Sequence, residues 1–476
     1  MFRSMTRCVR EEETARFAEV RTTQSTDAVS FGIAQVNLPL GDFLWVSTQD
    51  TQQQGNNPAS PVVDLDEEEI PKASVRRYAI ERKTYKDLAG RFGNGDHLKQ
   101  LRRLSASSIV TSTFILLEGN LELSASHDTY GSHNVGGIQP EQVDAIAVDC
   151  VLNIGECAGS KTLFTVGEVD TATTLLSMTR IIRDQFYEEL ALDSEEKDSH
   201  YETFRKQCSK ESKQVAENTL ERTKPVNVDA LRQLLNECIN IIGVKTKVTR
   251  HNLCSFLAPV LHLGGVTLNS TRQHPFPCTV FNCNGVGVPV AVVHCMGCDL
   301  LGFICRRFFA TSSVDVTKPS HVLRRIKELA AMCDEGLSGG GMPSRRLLIL
   351  EKLAGTHGAI RSKMVEYRNV KRSAHSKHST QLDQKIKMQA EFFVTHLNSV
   401  VYDFYICLIL RHGFYFKQST DHKQTCRFLS VMAMRSLNVE EEETFFEGET
   451  VDLVESSESE SEDDEVIDLS LSQGSQ

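Results

Sequence analysis

The run Phe114-Ile115-Leu116-Leu117 constrains this chain most. It is too short for a buried helix, and it offers no polar side to water. A strand of that kind is covered on both sides, as in a parallel sheet with helices on each face. The flanking segments supply the helices. Leu98, Leu101 and Leu104 recur at helical spacing, with Lys99, Arg102 and Arg103 on the other side. From Val169 onward, Ala172, Leu175, Leu176, Ile182 and Phe186 mark a longer amphipathic helix. Tyr78 to Lys83 reads as a second strand. Val36, Leu38 and Leu40, alternating with Gln35, Asn37 and Pro39, read as a strand leading into Gly41-Asp42. Strands interleaved with helices over residues 30–190 predict one α/β domain.

The rest of the chain divides by composition. Residues 48–74, with Gln-Gln-Gln-Gly-Asn-Asn-Pro and a run of acids, read as a surface loop. Residues 191–224 are rich in Lys, Glu and Ser and predict a charged helical linker. Residues 225–435 return to globular composition and predict a mainly helical region, broken by a flexible joint at Gly336–Gly341. Val286 to Cys305 is apolar, but Pro289, His294 and Asp299 interrupt it, so a buried core segment is expected rather than a membrane span. Residues 439–476 are acidic and serine-rich, and a disordered tail is expected there. No internal repeat is visible in the sequence. The 14 cysteines, with no apolar leader before them, read as free thiols in a reducing compartment.

Charge separates tail from body. Between Glu440 and Asp468 there are 15 Asp and Glu and no Lys or Arg; without them the net charge of −11 becomes +4. A mildly basic body of this sort is compatible with nucleic acid as a partner.

Hydrolysing a phosphodiester calls for a divalent cation that offsets phosphate charge and lowers the pKa of an attacking water. Mg²⁺ takes one or two carboxylates and keeps several waters. On a strand over 78–83, Glu81 and Lys83 share one face and Arg82 points to the other. With Asp42 at another strand's end, this is the Asp…Glu-x-Lys pattern of metal-dependent nucleases. Asp87 follows in the first turn of the next helix, close enough to support the site.

These residues carry a resemblance. Gly41-Asp42, a variable loop, then Glu81-Arg82-Lys83-x-x-x-Asp87 resembles the signature of the XPF family of structure-selective nucleases. Phe43-Leu44-Trp45 resembles its crossover junction endonuclease branch, the catalytic subunit that pairs with an Eme-type partner. Asn94 to Leu104 resembles a family helix, Leu116-Leu117-Glu118-Gly119 its next strand, and Glu168 to Arg180 its threonine- and leucine-bearing helix. Over residues 8–190 the resemblance implies a restriction-endonuclease-like nuclease core, a central sheet flanked by helices. The stretch Cys8–Thr14 corresponds to the family's first strand, with Arg10 where the family carries an acid and Glu13 as the candidate for its glutamate. The second departure is Asp96, where the family carries a basic residue.

The resemblance further implies Mg²⁺, with Mn²⁺ able to substitute, held by Asp42, Glu81 and Asp87. Lys83 would orient the attacking water, and Arg82 would brace its strand from behind or meet phosphate. Gln100, Arg102 and Arg103 would contact DNA. The implied substrates are flaps, forks and nicked junctions, in the nucleus, during recombination and repair. Rival readings are a non-catalytic partner subunit of such a nuclease and an interaction scaffold working through the tail.

Weaker signals complete the set. Ile241-Ile242-Gly243-Val244, within 239–258, is a candidate helix-hairpin-helix turn. Cys278, Cys283, Cys295 and Cys298, beside His294, have spacing that a zinc site permits, though buried apolar cysteines explain them as well. In the tail, Val466-Ile467-Asp468-Leu469 follows four acids and resembles a SUMO-interacting motif, suited to strand addition on a partner's sheet edge.

Overall fold

The computed structural model describes residues 29–30, 41–49, 74–92, 96–105, 109–119, 139–154 (without 155–156), 157, 159–191, 203–207, 279–283, 290–310, 314–338, 345–351, 369 and 381–436. The expectations for Cys8–Thr14, the strand before Gly41, the helix-hairpin-helix candidate and the acidic tail fall outside these residues.

The first half builds on a five-stranded sheet, in spatial order β1 (Val29–Ser30), β2 (Phe43–Gln49), β3 (Ser74–Thr84), β4 (Ser112–Glu118) and β5 (Ser160–Thr165). β2 runs antiparallel to β3, and β3, β4 and β5 are parallel. β4 lies between β3 and β5, and Thr113 through Glu118 are buried, so the apolar run is covered on both faces as its sequence requires. Between the parallel strands lie α1 (Tyr85–Phe92), α2 (Asp96–Ser105) and α3 (Pro140–Leu152), and α4 (Glu168–Ala191) follows β5. Pro140 opens α3 where its missing N–H costs nothing, and Gln142 Oε1 accepts the Gln139 N–H at 2.8 Å. Asn153, at φ 63°, ends it in the left-handed conformation that asparagine tolerates.

The alternation of side chains along each strand sorts this sheet into two faces. Ile115 and Leu117 pack with Leu88, Leu101, Val143 and Ile146, the face of α1, α2 and α3. Ile80, Phe114 and Leu116 pack with Leu175, Met178 and Ile182 of α4. Trp45 Nε1 donates to Thr179 Oγ1 at 3.0 Å inside the core, tying β2 to α4.

The second half, expected to be mainly helical, holds a sheet among its described helices. Over 279–436 its helices surround a four-stranded sheet of β6 (Thr279–Cys283), β7 (Val290–Met296), β8 (Arg345–Glu351) and β9 (Tyr415–Ser419), in that order. The helices are α5 (Gly297–Arg307), α6 (Pro319–Ser338), α7 (Gln381–Arg411) and α8 (His422–Ser436). β7 is buried along its whole length, and so it shows no alternation that would separate it from a buried helix. The described part of the apolar Val286–Cys305 stretch, 290–305, is mostly core, as expected. Glu391–Arg411 of α7 is long and apolar enough to cross a membrane, but it is a core helix lying against α4 and α6. One hydrophobic core runs through both halves, from Trp45 and Leu175 to Phe308, Phe404 and Phe416.

Candidate active site

The parallel strands β3, β4 and β5 present their carboxyl ends together, the edge where open α/β sheets place their ligands. β3 brings Glu81, Arg82 and Lys83 to that edge. Register pairs Glu81 with Ile115, Arg82 with Leu116 and Lys83 with Leu117. Glu81 and Lys83 therefore share the face of α1 to α3, and Arg82 lies on the α4 face, as the strand alternation predicts. Lys83 Nζ donates directly to Glu81 Oε1, and both residues are buried, at 7% and 5% exposure. An ion pair this far from water holds two side chains in fixed relation.

Asp42 reaches the same place by two hydrogen bonds. Its N–H donates to Ile80 O at 2.7 Å, and its Oδ2 accepts the Arg82 N–H at 2.6 Å. The Gly41-Asp42 turn needs its glycine. Gly41 has φ +77°, and a Cβ there would stand 3.1 Å from Ile80 O and 3.5 Å from Leu104 Cδ2. α2 thus flanks the turn with Leu101 and Leu104 buried, while Gln100, Arg102 and Arg103 remain half-exposed on it. A strand follows Asp42 directly, beginning at Phe43.

Behind β3 stands a brace. Arg82 Nε donates to Glu118 Oε2 at 2.9 Å and its second nitrogen to Oε1, a bidentate pair. Thr171 Oγ1 adds a bond to Glu118 Oε2 at 2.5 Å, and Thr171 shares another at 2.7 Å with Thr165. The Arg82 guanidinium holds the Glu118 carboxyl below the ordinary glutamate range, with the Thr171 bond acting in the same direction. Of the two roles open to Arg82, this is the bracing one. Neither Glu118 nor Thr171 is assigned a role by sequence reasoning. The available signal was a lone carboxylate closing an apolar run, which must find a cation if buried.

Asp87 is bonded to Thr84 at the start of α1. Its Oδ2 accepts from Thr84 Oγ1 at 2.7 Å and from Thr84 N–H at 3.3 Å, while its own N–H donates to Thr84 Oγ1 at 3.1 Å. This reciprocal box caps α1. Among the described residues no group of three His, Cys, Asp or Glu side chains converges as a metal site. With Asp87 engaged in the cap, Asp42 and Glu81 are the carboxylates fastened at the end of β3. Two hard oxygen donors, one of them on an exposed aspartate, fit a divalent ion that keeps most of its water.

Among the described residues the cysteine cluster does not come together, and Cys278 lies outside them. Cys283 pairs in register with Val290 and Cys295 with Leu350, at opposite ends of β7. His294 Nε2 is 2.9 Å from Glu351 Oε2, both buried.

Residues 30–178 match the family model of the ERCC4 domain, the nuclease domain of the XPF family, which acts on DNA by phosphodiester hydrolysis. The match includes Asp42, Glu81, Arg82, Lys83, Asp87, Glu118 and Thr171. No curated protein matches the chain.

Proposed function

Proceeding from an XPF-type nuclease domain over residues 30–178, we propose that the chain is a structure-selective DNA endonuclease of the crossover junction type. Its substrates are flaps, forks and nicked junctions arising in recombination and repair in the nucleus. The observation that carries this reading is the Glu81–Lys83 pair at the carboxyl end of β3, with Asp42 fastened to the same strand.

Asp42 and Glu81 are the residues that would hold a divalent cation, Mg²⁺ or Mn²⁺, which supplies charge neutralisation and a more acidic water. Lys83, held by Glu81 on the open edge of the sheet, orients the attacking water and offsets charge growing on the phosphate. The Arg82–Glu118 brace keeps the strand end from shifting when DNA arrives. Gln100, Arg102 and Arg103, on the helix beside the Gly41-Asp42 turn, suit the phosphate backbone. In the tail, Val466, Ile467 and Leu469, with Asp468 between them, would add as a strand to SUMO, steered by the preceding acids.

The test is cleavage of end-labelled flap, fork, nicked-junction and plain duplex DNA with Mg²⁺, Mn²⁺ or chelator. Cutting near the branch point is expected with either ion, with none in chelator and none on plain duplex. Equal cutting of plain duplex would remove the structure-selective reading, and cutting in chelator would remove the metal.

A further inference from the structure

The two halves have one topology. Apart from β1, and among the described residues, each runs from an antiparallel strand (β2, β6) to a parallel strand, two helices, a second parallel strand, a helix, a third parallel strand and a closing helix. Strand register aligns them residue by residue. Glu118 closes β4 opposite Thr84 and Thr165, and Glu351 closes β8 opposite Met296 and Ser419. The brace is repeated with them. Thr425, six residues past Ser419 as Thr171 is past Thr165, donates to Glu351 Oε2 at 3.1 Å and meets Ser419 at 2.8 Å. His294 occupies the place of Arg82 against that carboxylate. The turn into the closing helix is also shared. Val166 N–H donates to Asp170 Oδ2 at 2.9 Å, and Thr420 N–H to Gln424 Oε1 at 3.0 Å.

The chemistry is not repeated. Register places Val293 where Glu81 stands, Cys295 at Lys83 and Val280 at Asp42. The halves pack by exchanged pairs. α4 lies on α7, which corresponds to α3; α8, the counterpart of α4, lies on α3; and β5 meets its own counterpart β9. Such reciprocity is the mark of a two-fold interface. Lys161 and Tyr415, equivalent by register, sit together near its axis, with Lys161 Nζ 5.7 Å from the Tyr415 ring.

The interface also selects unlike halves. Asp144 of α3 is fully buried, with Lys417 Nζ at 2.6 Å on one oxygen and Arg427 Nε at 2.6 Å on the other. Their counterparts in the first half are Leu163 and Thr173. Two first halves brought together this way would bury Asp144 against an apolar and a neutral residue, which a carboxylate does not tolerate.

We propose that the second half is a catalytically silent copy of the nuclease fold, and that it serves in cis as the first half's two-fold mate. One chain is then a complete unit with one cutting site, needing no separate subunit to fill this interface. The cutting part of the proposal rests on the nuclease reading above; the pairing part does not.

The experiment takes the full chain, measuring its mass by light scattering at micromolar concentration and its cleavage of labelled flap DNA. A mass near 53.2 kDa is expected, with purified protein active alone. Cys298→Ser and Asp299→Asn, on the counterpart of α1, should cut within two-fold of wild type, and Glu81→Gln should cut not at all. A dimer mass, activity that appears only on adding a second protein, or residual Glu81→Gln cutting abolished by Asp299→Asn would each overturn the proposal. To read the pairing apart from activity, Asp144→Leu in combination with Lys417→Leu and Arg427→Leu should remain one chain in mass and unfold in one transition. Two separate transitions in wild type would overturn the pairing. A wild-type monomer with one transition and no cutting on any substrate would leave the pairing standing and remove the nuclease reading.

Discussion

At the carboxyl end of β3 three charged residues follow one another, Glu81, Arg82 and Lys83; at the same register on β7 stand Val293, His294 and Cys295. Only the middle position keeps a polar side chain in both, and in both it meets the carboxylate that ends the next strand. The brace to Glu118 or Glu351 is therefore a requirement of the fold. It joins the ends of three parallel strands, with a guanidinium in one half and an imidazole in the other. The outer positions are a requirement of the chemistry alone. Burying Glu81 and Lys83 costs desolvation that a Val and a Cys do not incur. Where no reaction is asked of the edge, the apolar pair is the more stable filling.

The largest expected effect separates those two fillings. Glu81→Gln keeps the shape of the side chain and removes its charge, so flap cleavage should fall by about 10²–10³-fold or more while DNA binding persists. Val293→Ala, at the matching position, should instead cost about 2 kcal/mol of stability and leave cutting per folded molecule unchanged. Cleavage rates beside urea melts measure both. Wild-type cutting by Glu81→Gln would remove the assignment.

Next in size is the buried charge between the halves. Asp144→Asn leaves Lys417 and Arg427 facing one another without an anion, and should cost about 3–5 kcal/mol in chemical denaturation. Arg435→Gln, in the more loosely made contact of 3.2 Å with Asp149, should cost much less.

The nuclease half was readable because its side chains alternate against their surroundings. The Glu81-x-Lys83 spacing on a strand, the double-sided Phe114–Leu117 run and the helical stripe of Leu98, Leu101 and Leu104 each name an element and a face. The second half hides its sheet for the opposite reason. Val290–Met296 is buried throughout, and its one histidine and two sulfur residues read as breaks or ligands rather than as a strand. The duplication was invisible because the halves share hydrogen-bond geometry more than residue types: Glu118 and Thr171 recur as Glu351 and Thr425, but Arg82 stands against His294, Thr165 against Ser419 and Asp170 against Gln424. Glu118 reads only as part of a motif, since its partner lies 36 residues away, on the neighbouring strand.

A pH effect of intermediate size follows from α3. Burial pushes the Asp149 carboxyl up to about 7, with Arg435 working against that shift. The folded state then holds a proton that the unfolded chain releases near pH 3.8. Stability from this group is whole below that pH and is lost as pH rises toward about 7. Asp149→Asn should flatten the fall in thermal midpoint between those limits. An unchanged slope in the variant would assign it to another group.

The smallest effect lies at the first turn of the helix that follows each strand, where Asp87 and Asp299 occupy equivalent positions. Asp87 shares a reciprocal cap with Thr84, whereas Met296, the residue before α5, has no side chain that could cap it. Removing the first cap by Thr84→Ala should cost about 1 kcal/mol, and Asp299→Asn should cost next to nothing. Asp87→Asn distinguishes two roles, because asparagine caps a helix nearly as well as aspartate but carries no charge. If the cap is its whole contribution, Asp87→Asn should melt like wild type and cut at the wild-type rate across a Mg²⁺ titration. A normal melt with a raised Mg²⁺ requirement would instead return Asp87 to the metal's surroundings. Thr84→Ala controls for the geometry: it loosens the same turn without touching the carboxylate, so a Mg²⁺ effect shared by both variants would come from the position of α1 rather than from the charge on Asp87.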